Sequence, residues 1–154
     1  MSEHFTVVIP SDPSAPLPDT AEVLRAALQR LAGGDASRVK DYRKLQFIDC
    51  GDTPCRIGCP HCDADVPQTV WQAWMTENWH AEDGFHLHSH PAPCCKSPIT
   101  LTTLIYEPKQ GFATWMISAR SAAGRTLTSG EMEELQGLAG IKLTAINQIY
   151  RDQG

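Results

Sequence analysis

Residues 55–67 read CRIGCPHCDADVP, and the C-x-x-C pair inside this stretch decides how the rest of the chain is understood. Cys59 and Cys62 sit three residues apart, with Pro60 stiffening the start of the turn between them. Such a turn lets two thiolates converge on one side of the chain, which is half of a tetrahedral metal site. A second pair has to close it, and HPAPCC, residues 90–95, supplies Cys94 and Cys95. Neighbouring residues of an extended chain point to opposite sides, so both sulfurs reach one ion only if the segment bends sharply. Pro93 and Pro98 favour that bend. The expected cofactor is Zn2+, a thiophilic ion that prefers four soft donors, and the expected ligands are Cys59, Cys62, Cys94 and Cys95. Cys50 or Cys55 stands as an alternative member of the second pair. So do His86, His88 and His90, which share one side of an extended segment. His61, inside the knuckle, is expected to face solvent.

The same stretch runs into a helix. Asp65 is the expected cap, with Pro67 in the first turn and Gln68 at the position that completes a capping box. Trp71, Trp74, Met75 and Asn78 share one side of that helix, and Trp79 lies about a turn and a half beyond Trp74. These tryptophans suit the hydrophobic core of a small metal-held unit, which needs bulky packing. If exposed, Trp71, Trp74 and Trp79 suit the anchors of a protein interface. The cysteine-rich part spans residues 50–108 and holds all six cysteines and five of the six histidines.

On either side of it the chain shows the same order of elements. HFTVVI (residues 4–9) alternates Phe5, Val7 and Ile9 on one face, as a strand does. Asp19 and Glu22 are spaced as a capping box, Leu24, Leu28 and Leu31 form one apolar stripe, and Gly33-Gly34 ends the helix. KLQFID (44–49) is a second strand in which Leu45 and Phe47 share a face. After the insertion, GFATWMIS (111–118) alternates Phe112 and Met116 against Trp115 and Ile117, and SAAGR turns the chain. Thr128 and Glu131 form another capping-box pair, with Leu127 placed to staple to Met132. Met132, Leu135 and Leu138 give the buried stripe, Gly140 stops the helix, and IKLTAINQIY (141–150) is the last strand. The expected fold is α+β in one domain, residues 1–154: a split β-α-β (ferredoxin-like) sandwich with both helices on one face of an antiparallel sheet. Its crossovers are expected to be right-handed and to skip one strand position. Residues 50–108 form a zinc-knuckle insertion carrying the third helix.

The CPHC stretch resembles the first knuckle of zinc-ribbon modules, which show C-P-x-C followed by a second cysteine pair. The wider arrangement FIDCG, CPHC, W-x-x-W-M, PCC and GFATWMI is similar to that of small bacterial proteins joining a zinc knuckle to an α+β frame. The resemblance covers about residues 47–118. It implies a bound zinc and assigns no activity. Asp63 and Lys96 stand where ribbons prefer glycine, the residue that relieves a strained turn.

Composition narrows the function. Formal net charge is −5 and the pI is near 5.6, which disfavours a duplex-binding protein, since that role needs a concentrated basic surface. The one basic run, RVKDYRKLQ, reads as a solvated turn before a strand. No segment approaches the roughly 18 consecutive apolar residues of a membrane span. The N-terminus lacks a secretion-signal pattern, and six cysteines in that setting point to thiols and metal in a cytoplasmic protein. There is no H-E-x-x-H, no deaminase H-x-E with P-C-x-x-C, no P-loop, no G-x-S-x-G and no G-x-G-x-x-G. Ser121 and Ser129 have no base at a recognisable spacing. The expected function is therefore a zinc-stabilised, non-catalytic protein-binding module, with an immunity protein that occludes a cognate toxin as one case. A metal-dependent hydrolase is the alternative; it would use HAEDGFHLHSH (80–90), with Glu82 or Asp83 as base. A nucleic-acid-binding zinc ribbon is the second alternative.

Overall fold

Alternation of apolar side chains along four strands organises the chain around one sheet. A computed structural model describes residues 2–123 and 125–151. In chain order the elements are β1 (Ser2–Pro10), α1 (Ala21–Ala32), β2 (Gly33–Ile48), β3 (Arg56–Gly58), α2 (Gln68–Asn78), β4 (Trp79–His80), β5 (Gly84–Phe85), β6 (His90–Pro91), β7 (Pro98–Ile99), β8 (Ile105–Glu107), β9 (Gly111–Ser121), α3 (Ser129–Ala139) and β10 (Leu143–Arg151). The fold is α+β, with three helices and a mixed six-stranded sheet in the order β10-β1-β9-β2-β5-β4. All its pairings are antiparallel except β2 with β5, which run parallel. β3 pairs with β8 and β6 with β7 in two small ribbons. β9 lies between β1 and β2, and β1 lies between β9 and β10. Each strand–helix–strand unit thus leaves one place open, and the first strand of the other unit fills it.

Register explains which residues meet the helices. Val8 stands opposite Ile117 and Ala145, and Thr6 opposite Ala119 and Asn147. Val8, Trp115, Ile117 and Ala119 pack with Leu24, Leu28 and Leu31 of α1 and Leu135 of α3 in one core. Trp115 is fully buried there, and its indole N–H donates to the Ala15 carbonyl at 3.0 Å, as a buried tryptophan requires. Phe5, Val7 and Ile9 share the opposite face, where Val7 and Ile9 pack with Ile48, Cys50, Met116 and Ile146. Both faces of β1 are therefore buried from Thr6 to Pro10.

Several local expectations need correction. The basic run at residues 38–44 is strand, not a turn: β2 starts directly after α1 and places Val39 opposite Ile117, with Arg38 opposite Ser118 and Lys40 opposite Met116. The register breaks between Asp41 and Gln46, with Arg43 at φ 59°, so an irregularity rather than a loop absorbs the charges. The Asp19–Glu22 box at α1 does not form. Thr20 precedes the helix at ψ 13°, outside the extended conformation that a capping residue adopts, and makes no side-chain cap bond. Glu22 pairs with Arg25 at 2.6 Å instead. Asp65 does not cap α2 either, because the Arg56 guanidinium holds its carboxylate at 2.5 Å, and the helix follows directly on Pro67. At α3 the Thr128–Glu131 box is complete in both directions. The Thr128 N–H and the Arg125 guanidinium on the Glu131 carboxylate hold it below the usual range. Both α1 and α3 end on a left-handed glycine, Gly33 and Gly140. Gly124, in the SAAGR turn, lies outside the described residues.

The chain between β2 and β9 builds a second core from Ile57, Cys59, Val66, Ala92, Ile99, Leu101, Leu104 and Tyr106. Phe47 and Phe112, paired across β2 and β9, join it to the sheet: their rings stand 5.1 Å apart, and Phe47 is 5.5 Å from Trp71. The Trp71 indole donates to the Tyr106 hydroxyl at 3.1 Å, and that hydroxyl donates to the Leu101 carbonyl at 2.8 Å. Desolvation raises the Tyr106 phenol well above its ordinary value. β5 lies so close to β2 that a Cβ on Gly84 would sit 2.4 Å from the Leu45 carbonyl oxygen, and its φ of 82° also requires glycine. Among the described residues no helix is long and apolar enough to cross a membrane.

The two helix starts make contrasting predictions. Thr128→Ala removes a formed cap and should lower stability by about 1 kcal/mol. Thr20→Ala, which breaks no side-chain cap bond, should leave the urea midpoint nearly unchanged. Paired equilibrium denaturation curves check both.

Candidate metal centre

Two loops with the same backbone design face each other. In the first, the Asp63 N–H donates to the Cys59 carbonyl (2.9 Å) and the Cys59 N–H to the Ala64 carbonyl (2.9 Å). In the second, the Lys96 N–H donates to the Ala92 carbonyl (2.8 Å) and the Ala92 N–H to the Ser97 carbonyl (2.9 Å). The fifth residue of each loop is left-handed: Asp63 at φ 61° and Lys96 at φ 63°. Aligned on these bonds, CPHCD matches APCCK. Each loop opens on a fully buried small residue, Cys59 or Ala92, continues with proline, and carries cysteine at its fourth position. The first loop offers sulfur at positions one and four, the second at positions three and four. The tight turn, not an extended chain, is what allows adjacent cysteines to point the same way.

The result is a cluster. The ligand atoms of Cys59, Cys62, Cys94 and Cys95 all lie within 4.8 Å of one another. Cys59 Sγ is 3.8 Å from Cys95 Sγ, and Cys62 Sγ is 3.2 Å from Cys94 Sγ. Thiolates about 2.3 Å from a tetrahedral ion stand about 3.8 Å from one another, so the four sulfurs can hold a metal ion with little movement. All six cysteines are free thiols. Ser97, through its hydroxyl and N–H, lowers the Cys95 thiol to about 6. Chiefly through its hydrogen bond with Cys62, Cys94 is pushed up to about 12. An entering ion therefore has to displace the protons that the clustered thiols share.

Residues outside the cysteine pattern hold the loops in place. Arg56 reaches over the first loop, bonding the Asp63 backbone carbonyl, the Asp63 carboxylate (3.2 Å), Asp65 (2.5 Å) and Glu107 (3.2 Å). This clamp fixes the residue that carries the left-handed strain. His61 faces solvent as expected and donates from Nε2 to the Pro98 carbonyl at 3.1 Å, tying one loop to the other. Cys50 and Cys55 lie outside the cluster. Gln110 accepts from the Cys50 N–H (3.0 Å) and donates to Cys55 Sγ (2.9 Å), and burial raises both thiols.

The histidine-rich segment is arranged differently from its sequence pattern. Asn78, fully buried at the end of α2, accepts at its backbone carbonyl from the His86 N–H (2.7 Å) and at Oδ1 from the His88 N–H (2.9 Å). Its amide NH2 donates to the Trp74 carbonyl (2.8 Å) and to His90 Nε2 (3.0 Å). His90 Nε2 thus accepts, and the ring lies buried, stacked 4.8 Å from Trp74. It does not join His86 and His88. His80 takes its place: His80, His86 and His88, all exposed, bring one ligand atom each within 4.8 Å of the others. Trp71 and Trp74 are half-buried against the second core, whereas Trp79 is 38% exposed with the Lys44 ammonium 5.4 Å from its ring centroid. Arg56, Asn78 and His80 carry no signal in a search for cysteine spacing; the shared P-x-C of the two loops was a legible one.

No protein-family model, no curated protein and no solved structure matches this chain.

Left-handed backbone at Lys96 yields a test. A residue with a Cβ pays about 1–2 kcal/mol there, and no side-chain bond of Lys96 offsets it among the described residues. Lys96→Gly should raise the unfolding free energy by about 1 kcal/mol, read as a higher denaturation midpoint, and slow metal loss to a chelator. Lys96→Val, β-branched and worse in this region, should do the reverse.

Proposed function

We propose that the four-cysteine cluster holds a structural zinc ion and that the chain is a non-catalytic protein-binding module. Its frame is read as a ferredoxin-like split β-α-β sandwich, with residues 50–108 as a zinc-ribbon-like insertion. The strand order β10-β1-β9-β2 with two crossing units supports that frame. The observation that carries the functional reading is the convergence of four sulfurs with no carboxylate or imidazole among them. Four thiolates fill a tetrahedral shell, leave no position for water or substrate, and give the centre a net charge of −2. Such an ion is a poor Lewis acid and a good brace. A hydrolase needs an open position with a carboxylate beside it in a cleft. The four-sulfur centre offers no such position, and Glu82 and Asp83 are exposed on the short turn between β4 and β5.

The surface best suited to a partner is the β4 edge of the sheet. Trp79, in contact with Phe85 at 5.0 Å, and Leu87 are exposed there. An edge strand offers unpaired backbone groups, and an exposed tryptophan is the residue type that anchors protein interfaces. Trp71 and Trp74 are half-buried in the second core together with Phe85, the ring that Trp79 touches. The net charge of −5 suits a basic partner, and an immunity protein covering a cognate toxin is one case that fits.

Protein purified under reducing conditions without chelator should carry one zinc per chain, and Cys59→Ser or Cys62→Ser should lose it and unfold at least the insertion. Co-purification from the native host should recover one dominant protein with the wild type and lose it with Trp79→Ala, which keeps its zinc. Metal-free protein overturns the zinc centre. Recovery of nucleic acid in place of a protein overturns the binding module.

A further inference from the structure

We infer that His80, His86 and His88 form a second metal site, solvent-facing and open, that takes a divalent transition-metal ion. It is separate from the cysteine centre and does not rest on the functional reading above. The first argument is geometry. Three imidazoles from two adjacent segments bring ligand nitrogens within 4.8 Å of one another, and the His80 and His86 rings stack at 3.9 Å. An ion bound at about 2.0–2.1 Å needs those nitrogens about 3.0–3.5 Å apart, a closure that exposed side chains make by small rotamer changes.

The second argument is the rigidity of the backbone beneath them. His80 is paired with Gly84 across β4 and β5, and Gly84 packs against β2 too closely for any side chain. The Lys44 ammonium donates to the Ala81 carbonyl at 3.0 Å, fixing the turn that follows His80. On the other side, Asn78 holds the backbone N–H groups of both His86 and His88. Ligand positions are thus held by a buried amide and a sheet contact, which lowers the ordering cost of binding.

The third argument is the set of partners. Among the described residues, the rings of His80 and His88 accept or donate no hydrogen bond, although each carries a free nitrogen lone pair when neutral. His86 has one polar neighbour, the Asp83 carboxylate at 3.4 Å from Nε2. A carboxylate that hydrogen-bonds a histidine orients a metal-binding imidazole and leaves its other nitrogen for the ion, and Asp83 stands near enough to take that place.

The donor set defines the chemistry. Imidazole suits Zn2+, Ni2+, Co2+ and Cu2+ rather than Mg2+ or Ca2+. Three neutral donors leave the ion its full +2 charge, in contrast to the thiolate centre. With three ligands from one side and solvent on the other, the remaining positions take water or a small anion.

Co2+ separates the two sites in one experiment. Full-length protein, freed of metal and kept reduced, is titrated with Co2+ and followed by absorption. The cysteine centre should fill with intense sulfur-to-cobalt bands in the near ultraviolet. A second equivalent should then add only weak visible bands, and azide should shift those bands while leaving the near-ultraviolet ones unchanged. His80→Ala/His86→Ala should weaken the second event at least 100-fold and keep the first, whereas His4→Ala should keep both. The retained near-ultraviolet bands also show that the double variant is folded. A titration that ends at one equivalent overturns the site, as does a second event that survives in the double variant or disappears in His4→Ala. A second event insensitive to azide overturns its open position.

Discussion

Four sulfur atoms within 4.8 Å of one another are the constraint on which the middle of this protein depends. Unshielded thiols gain little from such proximity, so the backbone has to impose it. It does so with two copies of one loop, each closed by the same pair of hydrogen bonds and each with proline at its second position. The price appears at Asp63 and Lys96, two side-chain-bearing residues in a conformation that favours glycine. At Asp63 the Arg56 clamp offsets it. A metal ion on the four sulfurs would offset the rest, because ligand binding free energy in so small a unit is folding free energy.

Three apolar clusters share the work of folding, one on each face of the sheet and one in the chain between β2 and β9. The one between the helices and the sheet rests on aliphatic stripes and a single fully buried tryptophan. The second is aromatic where it meets the sheet, with Phe47, Trp71, Phe85, Tyr106 and Phe112 in edge or tilted contact. This junction joins the unit that carries the cysteine loops to β2 and β9, since Phe47 and Phe112 belong to the sheet and touch the second core directly. Asn78 plays a parallel role at the far end of α2. This one buried residue holds three alternate residues of the histidine segment, His86 by its backbone carbonyl and His88 and His90 by its side-chain amide.

That amide accounts for the contrast between His90 and its neighbours. His86, His88 and His90 are equivalent in an extended chain, but only His90 reaches Asn78 Nδ2 and the face of Trp74. A buried polar ring needs such a partner, and Asn78 supplies one. The other two remain exposed beside His80, on the same edge of the sheet as Trp79 and Leu87.

The local sequence by itself determined β1, β9, β10 and the end of β2, the three helices, the Thr128–Glu131 cap and the glycines that end α1 and α3. Each of these is set by neighbours within a few residues: alternation, an apolar stripe, a hydroxyl three positions before a carboxylate. The four cysteines that converge were also legible from spacing, because a C-x-x-C turn and a proline-bent PCC are local shapes. Tertiary structure alone decided the rest. The basic run at residues 38–44 became strand because β9 was there to pair with it, and Asp65 left its cap because Arg56 was within reach. The cysteines at 50 and 55 stayed outside the cluster because Gln110 and the sheet core held them elsewhere. His80 joined His86 and His88, and His90 left them, because a β4–β5 pairing and one buried amide lie between residues that no sequence spacing relates.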